Sequence, residues 1–346
     1  MGSVEQEIES QYVVKQVRFT PDGSSVGLVT ESSEFLLFRY FPTGKLPRLS
    51  VSTGGDIFDF DFFPFFTQSE PLTQSVLVAS RNRPVQLVSC VSGLPVSAYT
   101  AYSFTEEIVH PLTVKFSPQG GSIVGAFAQS TLRLWDVQRP GRQERDLVLS
   151  TRKGQGTQKG IISAVCFAGE ETIFAGSYSR DIFMYDLRDK ARCMQIGGGM
   201  MSEFGGVVQL DFLQEKNLLV SGHRMDTSLY VWDVRSPDTA LMELPRATNT
   251  HQRFSHSVFR DRFVFCGDSY GDLTVFDLDR NGDVSIKHKI ADSPVVSVSA
   301  VADGDKARVA CGYGCRSYSP IPDSSDEDEQ MNAVKSGFSI LSLLEF

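Results

Sequence analysis

The sequence predicts an all-β chain folded as a closed ring of seven four-stranded blades, a β-propeller. Three observations predict it. First, one strand ending returns along the chain: Leu134-Trp135-Asp136-Val137, Met184-Tyr185-Asp186-Leu187, Val231-Trp232-Asp233-Val234 and Val275-Phe276-Asp277-Leu278. Asp136, Asp186, Asp233 and Asp277 stand 50, 47 and 44 residues apart, close to the roughly 40–45 residues that one blade occupies. Second, each ending follows a short alternating strand and then a Gly/Ala-rich strand. Third, no stretch carries the 3.6-residue periodicity of an amphipathic helix.

The inner strands are marked by apolar-polar alternation. They are Val17–Gly23, Phe58–Phe62, Thr113–Pro118, Ser163–Phe167, Val207–Phe212, Phe254–Phe259 and Val295–Ser299. Second strands follow at Val26–Val29, Val76–Ala79, Ile123–Phe127, Ile173–Ser177, Leu218–Ser221, Phe263–Cys266 and Arg308–Cys311. Their small residues let neighbouring blades approach closely. Pro21-Asp22-Gly23 and Pro118-Gln119-Gly120 supply turn chemistry between the first two strands. Third strands are expected at 35–40, 85–89, 131–137, 181–187, 228–234 and 272–278. The seventh is displaced. After Gly314 comes a polar, acidic stretch, and an apolar segment returns only at Phe338–Phe346. That tail is read as the third strand of blade seven. Its outer strand must then come from the start of the chain, within Gln6–Val14, so that the two termini pair and close the ring. Closure leaves no blade without its full sheet.

The chain has 346 residues, 41% hydrophobic and 22% charged, enough to bury a large core. Length alone allows two domains, but a ring of blades makes residues 1–346 one domain. No run approaches the ~18 apolar residues of a membrane span, so no membrane partner is expected. Met1–Glu7 has no signal-peptide core. Gly2 hints at myristoylation, but Gln6 stands where Ser or Thr is needed. Of six cysteines, Cys90, Cys166 and Cys266 fall in strand-like runs, as buried thiols of a reducing compartment do. Cys311-Gly-Tyr-Gly-Cys315 lacks a second pair or a nearby His, so no metal is expected. No cofactor is expected either. The five histidines accompany no nucleophile motif, and the chain is read as not an enzyme. Gly154–Lys159 has a phosphate-loop look, but no Lys-Ser/Thr pair and no helix follow it.

Net charge is −9, which argues against DNA or RNA for the chain as a whole. The charge is segregated, however. In a propeller the second-to-third loops share one face with the outer-to-inner loops. Those loops carry Arg81, Arg83, Arg152, Lys153, Lys159, Arg180, Arg224, Arg246 and Arg253, with Tyr178, His223, His251 and Tyr270 among them. Cations hold phosphates and planar rings stack bases, a combination suited to single-stranded nucleic acid. Screening limits the reach of distant acids to about 8–10 Å. The alternative is that these arginines are solvated or pair with Asp181 and Asp226. The segment 319–335 is expected to be a disordered acidic insert, with five carboxylates at 323–329. Within it Ser324 and Ser325, each with an acid three residues on, are candidate phosphorylation sites. The insert emerges on the same face, where it either competes with RNA or only solubilises the chain.

Asp136, Asp186, Asp233 and Asp277 are expected to be structural, as in WD-repeat proteins, where this Asp fixes a tight turn. A more specific resemblance lies elsewhere. Ala79-Ser-Arg-Asn-Arg-Pro84, Phe116-Ser-Pro-Gln-Gly120, Arg139-Pro-Gly-Arg142, Gly154-Gln-Gly with Gly160-Ile-Ile-Ser163, Gly176-Ser-Tyr178, and Thr248-Asn with Gln252-Arg253 resemble the telomerase Cajal body protein family. The acidic insert before the last strand does so too. The resemblance covers about residues 10–346. It implies a non-catalytic RNA-binding propeller that recognises a loop motif in small Cajal-body RNAs or telomerase RNA. It implies a role in localising such particles to nuclear bodies and in telomerase assembly, beside H/ACA core proteins. Fungal-type relatives are tied instead to spliceosomal small RNAs. The expected protein is monomeric and nuclear, with some in the cytoplasm, and has no DNA partner. The competing reading is a protein-only scaffold.

Overall fold

The computed structural model describes residues 3–39, 47–150, 158–188, 193–248, 250, 252–315 and 336–343. Within them the chain forms seven antiparallel sheets. Blade 1 runs Val14–Phe19, Ser25–Thr30, Glu34–Arg39, Leu49–Ser52 from the centre outward. Blade 2 is Ile57–Phe62, Ser75–Ser80, Val85–Ser89, Pro95–Tyr102; blade 3 is Thr113–Phe116, Ser122–Phe127, Thr131–Asp136, Arg145–Val148. Blade 4 is Ile162–Phe167, Thr172–Ser177, Ile182–Asp186, Cys193–Ile196; blade 5 is Val207–Leu213, Leu218–His223, Ser228–Asp233, Ala240–Pro245. Blade 6 is His256–Phe259, Phe263–Gly267, Asp272–Asp277, Asp283–Lys289. Blade 7 is Val295–Asp303, Lys306–Tyr313, Ser336–Leu343 and, outermost, Ser3–Ser10. The described residues hold no α-helix, only short 3-10 turns.

Terminal pairing closes the ring as the sequence predicts, with shifted boundaries. Ser3–Ser10 lies antiparallel to Ser336–Leu343, with Ile8 opposite Phe338. The segment from Val14 is not part of that outer strand, because it already belongs to the inner strand of blade 1. Tyr313 donates to Glu7 at 3.0 Å in the middle of the seam, and Ser336 to the Ser10 carbonyl at 2.7 Å at its end. Phe338 is fully buried against Phe38 of blade 1. The acidic insert 319–335, Ser324 and Ser325 lie outside the described residues.

Blades pack through apolar clusters between adjacent sheets, such as Phe35, Phe60 and Phe62 in edge-to-face contact. The small residues of the second strands permit this approach. At Gly267 a Cβ would stand 2.2 Å from the Val295 carbonyl, and at Gly312 2.7 Å from Val14.

The recurring Asp of the third strand caps a turn in each case. Asp136, Asp186, Asp233 and Asp277 accept the backbone N–H two residues on, at 2.8, 2.9, 3.0 and 3.0 Å. The more specific motifs also have structural work. Gly141 and Arg142 add a short parallel strand beside Tyr99 and Thr100 of blade 2. Trp135 donates to the Thr100 carbonyl at 3.2 Å and Tyr99 to the Val137 carbonyl at 2.8 Å, so Arg139-Pro-Gly-Arg142 latches blade 3 onto blade 2. Gln158 is fully buried and donates to Asp181 at 2.8 Å and to the Ala175 carbonyl at 2.9 Å. It is a strut within blade 4.

Candidate nucleic-acid interface

The centre of the ring is a polar channel with a different chemistry at each end. Its wall is stitched by side chains reaching the next blade. Asp59 accepts from Gln16, Arg18, Thr113 and the Val114 N–H. Asp61 accepts from Lys115 at 3.1 Å and the Phe116 N–H at 2.9 Å. Burial opposes ionisation of Asp59, but Arg18, Lys115, Arg253 and the Thr113 hydroxyl outweigh it and hold the carboxyl well below its usual range. At this level the cations and acids are matched.

At the mouth they are not. Where five inner strands begin, their pairing slips by one residue: at Val14/Gln16, Ile57/Asp59, Ile162/Ala164, Val207/Gln209 and Val295/Ser297. Such bulges re-aim side chains. Four of the extra residues, Lys15, Phe58, Ser163 and Val208, line a cavity of about 350 Å³. Arg81, Tyr178, Arg224, Gln252 and Arg253 line it with them.

The loops fix these groups. Asn82 and Arg180 occupy left-handed backbone, φ 55° and 70°, which sharpens the hairpins that carry Arg81 and Tyr178. Arg81 lies over the Phe58 ring, 5.5 Å from its centroid, and pairs with Asp56 at 3.2 Å. Both partners of that pair are about half exposed, so it is weak and exchangeable. His110 stacks parallel on Phe58, centroids 5.1 Å apart, and accepts the Asn82 N–H. Burial, then the neighbouring Arg81, lowers the His110 pKa, so the ring is neutral at physiological pH. Arg224 lies 5.8 Å from the Tyr178 ring centroid, and its buried Nε has no hydrogen-bond partner. Among the described residues the Arg253 side chain makes no hydrogen bond or ion pair, and it reaches both ends of the channel.

The structure therefore brings Arg81, Tyr178, Arg224 and Arg253 together at one opening. Arg83, Lys159 and Arg180 are exposed on the surrounding loops, and Tyr270 is exposed further out. Arg152, Lys153 and His251 lie outside the described residues. Two expectations need correcting. His223 and Arg246 are buried, 2% and 3% exposed, and present nothing on the rim. His223 is the last residue of a wholly buried strand. Its ring is 2.8 Å from Ser221 Oγ, which accepts from Trp232, and 3.0 Å from the Gly205 carbonyl. Burial, chiefly, lowers its pKa to about 4. Arg246 turns inward at the end of the Ala240–Pro245 strand, over Phe254, where Asp226 acts on its buried charge.

Four groups at the mouth were not legible: Lys15, Phe58, His110 and Gln252. Phe58 reads in the sequence as one more apolar position of an alternating strand. Only the bulge turns it to the opening. Among the described residues no group of three or more His, Cys, Asp or Glu could hold a metal ion. No helix among them is long and apolar enough to cross a membrane.

A seven-bladed propeller with WD-type strand endings and a cationic, ring-lined channel mouth defines the class: a binding disc. No family model matches the chain. It is 29% identical over 303 residues to Telomerase Cajal body protein 1 of Mus musculus, covering 83% of this chain and 54% of that protein. It is 25% identical over 326 residues to the Telomerase Cajal body protein 1 homolog of Drosophila melanogaster, 86% of this chain and 58% of that one. Protein SWT21 of Candida glabrata matches at 24% over 263 residues, 70% of this chain and 61% of that one. Along most of its length the chain is homologous to the telomerase Cajal body protein 1 proteins. It spans about half the length of the mammalian relatives it matches.

Proposed function

We propose that the chain is a non-catalytic RNA-binding propeller that takes a single-stranded loop of a small Cajal-body RNA or of telomerase RNA at the mouth of its channel. The observation that carries this reading is the pairing of unpartnered cations with accessible rings at one opening. Arg253 and Arg224 are without ion-pair partners among the described residues, and the stacked rings of Phe58 and His110 stand beside them with the exposed Tyr178. Phosphates are held by the first set and bases stack on the second. Homology to proteins named for telomerase and the Cajal body supports that RNA class and a nuclear location, and H/ACA core proteins are proposed as neighbours. Arg83, Lys159, Arg180 and Tyr270 extend the proposed surface outward. Ser324 and Ser325 would add charge beside it when phosphorylated.

The test is crosslinking of the tagged protein in cells followed by sequencing of the bound RNA. Enrichment of H/ACA-type small RNAs or telomerase RNA is the expected result. Enrichment of spliceosomal small RNAs would redirect the reading to their maturation. Crosslinking no better than that of an inert propeller would overturn it in favour of a protein scaffold. In vitro, Arg81→Glu, Arg180→Glu and Arg224→Glu together should abolish binding while the fold persists.

A further inference from the structure

A second concave surface, of about 450 Å³, lies on blade 5 and has the opposite charge to the channel mouth. It is bounded by the outer strand Ala240–Pro245 and by the 3-10 turn Gly198–Glu203 that leads in from blade 4. Its floor is apolar and aromatic. Phe204 packs on Tyr230 with ring centroids 4.1 Å apart. Val231 pairs with Met242 but Trp232 with Ala240, so Leu241 is an extra residue in the edge strand. The bulge turns Leu241 outward, and it is 51% exposed.

Three carboxylates line this floor, Glu203, Asp226 and Glu243, and no Lys or Arg does among the described residues. Asp226 accepts from the Tyr230 hydroxyl at 3.1 Å, and Glu243 from Ser228 at 2.6 Å. The Ser228 hydroxyl orients Glu243 without cancelling its charge, and the buried Arg246 offsets Asp226, so the exposed Glu203 and Glu243 set the charge of the groove. The strand Ala240–Pro245 is also the last of its sheet, and among the described residues no strand lies on its outer edge.

We propose that this groove docks a basic-apolar segment of a partner protein, an extended stretch with an Arg or Lys close to a Leu, Met or Phe. Charge complementarity selects the occupant. A phosphate backbone would meet three carboxylates, and an acidic peptide would too. A guanidinium or ammonium group meets the exposed acids Glu203 and Glu243. The apolar neighbour covers Leu241 and Met242, and the free strand edge offers backbone hydrogen bonds to an extended chain. Phe204 of the groove is followed directly by Gly205 and Gly206, where added Cβ atoms would strike the Arg224 backbone and Tyr178 of the cationic mouth. A partner held here would therefore lie beside whatever occupies the mouth, although the docking does not depend on that occupant.

The test is selection of displayed random peptides on the intact chain, with Glu243→Lys and Leu241→Asp variants as counter-targets. The expected peptides carry Arg or Lys next to an aliphatic or aromatic residue. One of them, synthesised, should lose about tenfold or more in affinity on either variant. It should bind the Arg81→Glu, Arg180→Glu, Arg224→Glu protein as well as the parent, because the mouth is not its site. Glu203→Lys, in the turn rather than the sheet, should reproduce the loss if either edge-strand variant fails to fold. Peptides that are acidic, that bind the groove variants equally, or that enrich no more than on an inert propeller would overturn the proposal.

Discussion

Asp59 of blade 2 accepts the backbone N–H of Val114 of blade 3 at 3.1 Å, from a side chain with no exposure to solvent. The same carboxylate takes the Arg18 guanidinium of blade 1 at 2.9 Å. One buried charge thus joins three inner strands. Replacing it with Ala leaves Gln16, Thr113 and the Val114 N–H without this acceptor, and Arg18 with only Asp61 and the Phe60 carbonyl. Asp59→Ala should cost about 3–5 kcal/mol, the usual penalty for breaking a buried pair from one side. Urea unfolding would measure it, and a loss under about 1 kcal/mol would mean that the channel wall rearranges around the gap.

The terminal seam should be a weak point of the whole ring. Phe338→Ala removes a fully buried ring packed against blade 1 and should cost about 3–5 kcal/mol. Removing residues 1–10 should strip the outer strand from blade 7, lower the melting temperature and expose the edge of Ser336–Leu343 to association between chains. A shortened chain that melts like the parent and stays monomeric would contradict this.

Salt dependence separates the two kinds of contact proposed at the mouth. Arg253→Gln should weaken RNA binding and flatten the plot of log affinity against log salt by about one phosphate contact. Phe58→Leu should weaken binding by about tenfold and leave the slope unchanged, as loss of one stacked base does. If both variants change the slope alike, Phe58 is acting through Arg81 rather than by stacking.

His223 should make stability depend on mildly acidic pH. Its pKa is lowered to about 4 in the fold, against about 6.5 for an ordinary His. The unfolded chain therefore takes up the proton first as pH falls. The stabilisation is complete above about 6.5 and is lost as pH drops toward 4, by up to about 3 kcal/mol. Chemical unfolding across this range should show that slope, and His223→Gln should reduce it. Asp59 acts in a separate window. Its lowered pKa contributes stability above the usual carboxylate range, and that contribution fades only at stronger acidity.

Much of the fold was legible because it is written in local patterns. Alternation exposed the inner strands, and the second strands declared themselves by small residues such as Gly27 and Gly176, where a Cβ would strike Phe62 and Val207 of the next blade. The displaced third strand of blade 7 and the need for an N-terminal partner followed from counting strands in a closed ring. The site was legible only in part. Arg81, Arg224 and Arg253 could be assigned to one face from topology. His223 and Arg246 could not be distinguished from them, because loop position does not say whether a side chain turns out or in.

What the sequence by itself determined is the architecture: seven repeats of strand-period alternation cannot bury their apolar faces except against one another, and a ring satisfies every sheet. What only the tertiary structure decided is which side chains meet at the centre. The one-residue slips at Lys15, Phe58, Ser163 and Val208 have no local signature. They arise where inner strands bend into the crowded channel entrance, and each slip reverses the face to which a side chain points. The mouth, with its rings and cations, is the product of those slips and of loops brought together from different blades of the ring.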